Sequence, residues 1–160
     1  MGGWLDMANR NGFAVKVDIK GLGDCVDKMR ELGPKLARKG LRKALNKVGD
    51  FWVPEVQSRV PVHSGDLKNS IRKAVKTRKD KNGEVSGTVW VGPAADAPRT
   101  DGKDSVGPGI YGMWVEFGLK KKKRYPAQPY MRPTLDATGD KAIKLFSDIL
   151  REVLEEVAKE

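Results

Sequence analysis

A hydrophobic stripe at three- and four-residue steps constrains this chain more than any other feature. Val26, Met29, Leu32 and Leu36 begin it, and Leu41, Ala44, Leu45, Val48 and Trp52 carry it on. That period is the mark of a helix burying one side, and it predicts a helix over about 24–59. Gly33-Pro34 interrupts the stripe. Proline inside a helix removes a hydrogen bond and clashes with the preceding turn, so a kink or restart is expected there. Lys35, Arg38, Lys39, Arg42, Lys43 and Lys47 occupy the other face, whose default role is a solvated surface. A second stripe of Ala142, Phe146, Ile149, Leu150, Val153 and Val157 predicts a closing helix. It should start near Pro133, which suits a first turn, with Gly139 weakening it early.

The rest of the chain reads as strands and turns. Phe13, Val15, Val17 and Ile19 alternate with Ala14, Lys16, Asp18 and Lys20, the period of a half-buried strand ended by Gly21 and Gly23. Pro61 stops the first helix, and Ser64 suits the cap of a helical turn over about 66–71. Leu67 and Ile71, four apart, can both reach the core. Ile71, Lys73, Val75 and Thr77 face one way, and Val85, Gly87, Val89 and Val91 answer them on a return strand with Trp90 on its other side. Asp80-Lys81-Asn82-Gly83 supplies the turn between them. Gly92-Pro93 closes the hairpin, and 93–109 is a long polar loop of a kind that is usually functional or mobile. The apolar, aromatic run Ile110 to Phe117 reads as a further strand, broken by Gly118.

The expected fold class is therefore α+β. A small, mainly antiparallel β-sheet (N-terminal strand, hairpin, further strand) is packed by a long kinked N-terminal helix and a C-terminal helix. One domain is expected over 13–160, behind a flexible lead-in of 1–12.

Composition narrows the function. With 160 residues the chain can bury a core without metal or disulfide staples, and its one cysteine, Cys25, has no internal partner. No apolar run approaches the length of a membrane span, and the N-terminus lacks a secretory pattern, so assembly inside a cell without a membrane partner is expected. A formal net charge of +10 suggests a polyanion or acidic protein surfaces as neighbours.

Catalytic constellations are missing. His63, Ser64 and Asp66 are hydrolase residue types, but in one tight turn their side chains diverge, and no G-x-S-x-G elbow is present. One His and one distant Cys cannot build a typical zinc site, and Asp96, Asp101 and Asp104 lack calcium-loop spacing. No phosphate-binding glycine motif occurs. No enzyme activity, cofactor or metal is expected. Glu116, inside an apolar stretch, needs a cationic or hydrogen-bonding partner if buried, with Arg132 or a neighbouring copy as candidates. As an edge-strand residue it would instead face water. Lys120, Lys121, Lys122, Lys123 and Arg124 are five like charges in a row, suited to DNA phosphates, to an acidic partner or to solvent.

Two segments together resemble a known family. Val60 to Ile71 holds the element P-x-x-S/T-G-x-L-x-x-S-I through Pro61, Ser64, Gly65, Leu67, Ser70 and Ile71. Tyr111, Val115, Glu116, Phe117 and Gly118, with Pro126, Gln128, Pro129, Tyr130, Met131, Arg132 and Pro133, match Y-x-x-x-V-E-F-G followed by P-A-Q-P-F/Y-M-R-P. The pair resembles the HK97 gp10-like family of tailed-phage proteins. The Lys120–Lys123 run departs from the shorter, small-residue linker expected of the family. The resemblance implies a structural neck or tail-completion protein at the head–tail junction of a siphophage-like virion. It implies a homo-oligomeric ring, sixfold by analogy, and no enzymatic activity. Its neighbours would be head-closure or connector proteins, tail-tube or tail-terminator proteins, and packaged double-stranded DNA. It would occupy the virion, and the host cytoplasm during assembly. The motif residues become candidate subunit or partner contacts. The competing reading is a basic DNA-binding module that grips duplex phosphates through Lys120 to Arg124.

Overall fold

The structure, a computed structural model, describes residues 27–28, 31, 33–63, 65–79, 81–82, 85–94, 96–97, 107–119 and 126–157. Among the described residues the elements run α1 (Pro34–Arg59), α2 (Asp66–Ser70), β1 (Ile71–Lys79), β2 (Val85–Pro93), α3 (Pro108–Phe117) and α4 (Met131–Val157). The expected lead-in and the expected strand at Phe13 to Ile19 lie outside the described residues.

Gly33-Pro34 is a restart. Pro34 sits in the first turn of α1, where its missing N–H has no intrahelical partner to lose. Further along, α1 runs through Pro54. Its buried residues Ala37, Gly40, Ala44, Leu45, Val48, Gly49, Trp52 and Val56 follow the three- and four-residue steps. The expected opening of the stripe at Val26, Met29 and Leu32 lies outside the described residues; at the start of α1, Leu36 is exposed and Ala37 takes the inward position.

β1 and β2 form an antiparallel pair, in register from Ile71 opposite Pro93 to Lys79 opposite Val85. α1 is the middle layer, with the hairpin on one side and α4 on the other. Val48, Trp52, Val56, Val89, Val91, Met131, Phe146 and Leu150 join in one core. Lys73 crosses from β1 to α1, where its ammonium meets Asp50 at 2.6 Å and donates to the Asn46 carbonyl at 3.1 Å. Arg38 ties the same layers further along by donating to the Thr77 hydroxyl at 3.2 Å.

One expected element is different in kind. Ile110 to Phe117 belongs to helix α3. Periodicity cannot separate a short apolar run in a strand from one in a helix. The flanks decide it here: Pro108 occupies the first turn, and Gly118, at φ +71°, ends the helix in a conformation that side chains resist. Among the described residues the sheet accordingly has two strands. α4 likewise starts earlier than expected, at Met131.

Candidate functional site: the α3–α4 clasp and the outer face of α3

The two sequence elements meet in space. Gly65, at φ +86°, precedes α2, and Leu67, Ser70 and Ile71 are buried at the root of the hairpin. The Ser70 hydroxyl donates to the Leu67 carbonyl at 2.7 Å, and its own carbonyl accepts from Ala94 N–H at 2.9 Å. α3 lies against this corner. A Cβ on Gly112 would come within 2.9 Å of Leu67, 2.9 Å of Pro93 and 3.0 Å of the Tyr130 hydroxyl, so a larger residue there would force these neighbours to shift. Ser64 lies outside the described residues, His63 is exposed, and Asp66 is buried and partnered.

Glu116 is the centre of the arrangement. It is 4% exposed, and its carboxylate accepts three backbone N–H groups: Tyr130 at 2.7 Å, Met131 at 2.9 Å and Arg132 at 3.1 Å. Those are the groups a helix start leaves without intrahelical partners. The next residue, Pro133, has no N–H to satisfy. One side chain from α3 therefore completes the first turn of α4, with its negative charge at the positive end of the helix dipole. Of the candidate partners, Arg132 is engaged through its backbone N–H, together with those of Tyr130 and Met131, and Glu116 does not face water.

Further bonds tie Gln128 and Tyr130 to α3. Gln128 N–H donates to the Val115 carbonyl at 2.7 Å, and the Tyr130 hydroxyl donates to the Gly112 carbonyl at 3.3 Å. Burial pushes the Tyr130 hydroxyl pKa well above the usual phenol range, with the Glu116 charge and Tyr111 adding to it. The phenol therefore keeps its proton and its donor role. From Tyr130 a ladder runs into the core: Thr134 donates to the Tyr130 carbonyl, Thr138 to the Thr134 carbonyl, and the Trp52 indole to the Thr138 hydroxyl.

The motif positions divide by exposure. Leu67, Ser70, Ile71, Glu116, Tyr130 and Met131 are buried within this chain, Tyr111, Val115 and Gly118 are half-buried, and Phe117, Pro126, Gln128, Pro129, Arg132 and Pro133 are exposed. Lys120 to Arg124 lie outside the described residues.

The other side of α3 holds three residues that sequence reasoning missed, Ile110, Met113 and Trp114, beside the motif residue Phe117. Ile110, Met113, Trp114 and Phe117 are 53%, 41%, 36% and 40% exposed. Their spacing of three, four and seven puts them on one face of the helix. The signal was present in the spacing, but an alternating strand reading scatters the same four residues over both faces of a sheet.

A small depression between α1, β2 and α4 is lined by Trp52, Val56, Val91, Met131, Thr134 and Leu135, none of them titratable. Among the described residues no cluster could hold a metal ion, and no helix is long and apolar enough to cross a membrane.

A family model described as "Bacteriophage HK97-gp10, putative tail-component" matches residues 24–118. The chain belongs to the HK97-gp10-like family. The match takes in α1, the hairpin and α3, and ends at Gly118, so the Pro126 to Pro133 element that closes the clasp lies beyond it. No curated protein and no solved structure matches the chain. Within the HK97-gp10-like segment, the V-E-F-G element has a physical content. Glu116 caps α4, and Gly118 ends α3.

Proposed function

We propose that this HK97-gp10-like protein is a structural component of the phage head–tail junction. In this reading it is a neck or tail-completion subunit that forms a ring with its own copies and catalyses no reaction. The observation that carries the reading is the outer face of α3. Ile110, Met113, Trp114 and Phe117 present an apolar strip, and the only charged residue of the helix, Glu116, is turned inward. Copies of a chain with net charge +10 repel one another over most of their surface, whereas a neutral apolar strip can be buried without that cost.

A closed ring joins two different patches on each subunit, and α3 supplies one of them. The clasp holds that helix rigid, which lowers the ordering cost of docking. Sixfold symmetry, the adjacent connector, tail-tube or terminator proteins, and residence in the virion follow the family resemblance. Analytical ultracentrifugation of the full chain, with and without tails, tests the proposal. We expect oligomers or tail-bound protein for the wild type, and their loss in an Ile110→Asp/Met113→Asp variant. A wild-type chain that stays monomeric and never joins a tail would falsify it.

A further inference from the structure

We propose that the outer face of the hairpin is a contact surface for duplex DNA, gripping the phosphate backbone through Arg72, Lys76 and Arg78. These residues share a strand parity with Ala74, opposite in phase to the residues that pack on α1, and all four are exposed. Across the ladder, Arg72 faces Gly92, Ala74 faces Trp90, Lys76 faces Thr88 and Arg78 faces Ser86. The face therefore consists of three cations, two hydroxyls, two small residues and one half-buried tryptophan. It carries no carboxylate. Lys79 and Lys81, both exposed, extend the charge to the tip, where the acids of the turn, Asp80 and Glu84, lie outside the described residues. The acid that does approach is Asp96, 3.9 Å from Arg72 with both side chains largely in water, a pair too weak to neutralise the row.

The spacing suits a polyanion. A strand rises about 3.4 Å per residue, which puts the Lys76 and Arg78 backbones roughly 7 Å apart and Arg72 roughly 14 Å beyond Lys76. Duplex DNA carries one charge per about 1.7 Å of its axis, so a row of this length meets phosphates in any register. Cations and neutral hydroxyls are the groups that hold phosphate oxygens without reading sequence. A protein partner would need an apolar centre, and Trp90 is the one large apolar side chain on this face. A lone aromatic also makes base stacking a minor contribution. The inference goes beyond the ring reading and does not rest on it.

The test is fluorescence anisotropy of a labelled duplex DNA titrated with the full chain over a salt series. Three variants are compared with the wild type: Arg72→Ser/Lys76→Ser/Arg78→Ser on the hairpin, Lys35→Ser/Lys39→Ser/Arg42→Ser on the exposed side of α1, and Lys120→Ser/Lys121→Ser/Lys122→Ser in the basic run. Each removes the same charge. We expect the hairpin variant to lose about tenfold or more in affinity at low salt and to flatten the salt slope by about 2 to 3 units, while the other two change little. Thermal melts verify that the hairpin variant stays folded, since none of its three positions is in the core. Sedimentation with tails, unchanged in that variant, separates this surface from ring assembly. Absence of binding by the wild type, equal losses in all three variants, or a loss confined to the basic run would each overturn the proposal.

Discussion

α3 and α4 are joined by one carboxylate and are built on opposite plans. α4 buries Met131, Thr134, Thr138, Ala142, Phe146, Leu150 and Val153 at three- and four-residue steps, and sends Asp136, Asp140, Lys141, Lys144, Asp148, Arg151, Glu152, Glu155 and Glu156 into water. That is the ordinary arrangement for a helix covering a core. α3 inverts it. Its single charge is buried and its large apolar residues are exposed. The difference teaches that the buried stripe of α4 is explained by folding within one chain, whereas the exposure of Ile110, Met113 and Trp114 is not. Folding accounts for the inner face of α3, through Pro108, Gly112 and Glu116, with Tyr111 and Val115 packed against the core.

The sharpest way to break this comparison is to cut the link. Glu116→Ala leaves three N–H groups of a buried helix start without acceptors, and should cost about 3 kcal/mol or more in chemical denaturation. Arg132→Ala is the informative control. Its backbone N–H still reaches Glu116, so a loss within about 0.5 kcal/mol is expected for an exposed side chain. Equal losses in the two variants would return the Glu116 partner to the Arg132 guanidinium.

Gly112→Ala tests whether the inner face of α3 is as tightly specified as the buried stripe of α4. The added methyl meets Leu67, Pro93 and the Tyr130 hydroxyl at once. Two of these contacts belong to ring or branched carbons in the core, which cannot swing aside. A loss of about 2 kcal/mol is expected, measured by the shift in denaturation midpoint, as for other overpacked sites. On the α4 side, Trp52→Phe removes the indole donor to Thr138 and should cost about 1 kcal/mol beyond the lost packing, because the Thr138 hydroxyl stays satisfied through its bond to Thr134.

Much of the architecture was legible because it rests on period and punctuation. The two stripes located α1 and α4, and alternation around Asn82-Gly83 located the hairpin. Leu67 and Ile71 were placed in the core by their spacing alone. α3 was misread for a physical reason. In a run as short as Ile110 to Phe117, aromatic and β-branched residues outweigh the period, and the signals that mark a helix, Pro108 in its first turn and Gly118 at its end, lie at its margins. The need for a Glu116 partner was visible as a carboxylate inside an apolar run, with Arg132 or a neighbouring copy as candidates. That the partner would be a helix start was not, since no pattern within α3 points to N–H groups fourteen residues on. The outer face of the hairpin was open to reading as well. The alternation that assigned Val75 and Thr77 inward sends Arg72, Lys76 and Arg78 outward.

A small effect on folding is expected where the effect on assembly should be largest. Ile110→Ser/Met113→Ser removes apolar surface that is already half in water, so the transfer free energy lost on folding is small. The two substitutions together should shift stability by no more than about 1 kcal/mol. In the assembled state the same side chains would be fully covered, and truncating central apolar anchors typically costs about 2 kcal/mol or more for each. Denaturation of the isolated chain and co-sedimentation with tails read these two quantities separately. A variant that melts like the wild type and fails to co-sediment would set α3 apart from α4 as the helix made for a partner. If it instead loses stability as Gly112→Ala does, the outer face of α3 is part of this chain's own fold, and the contrast between the two helices disappears.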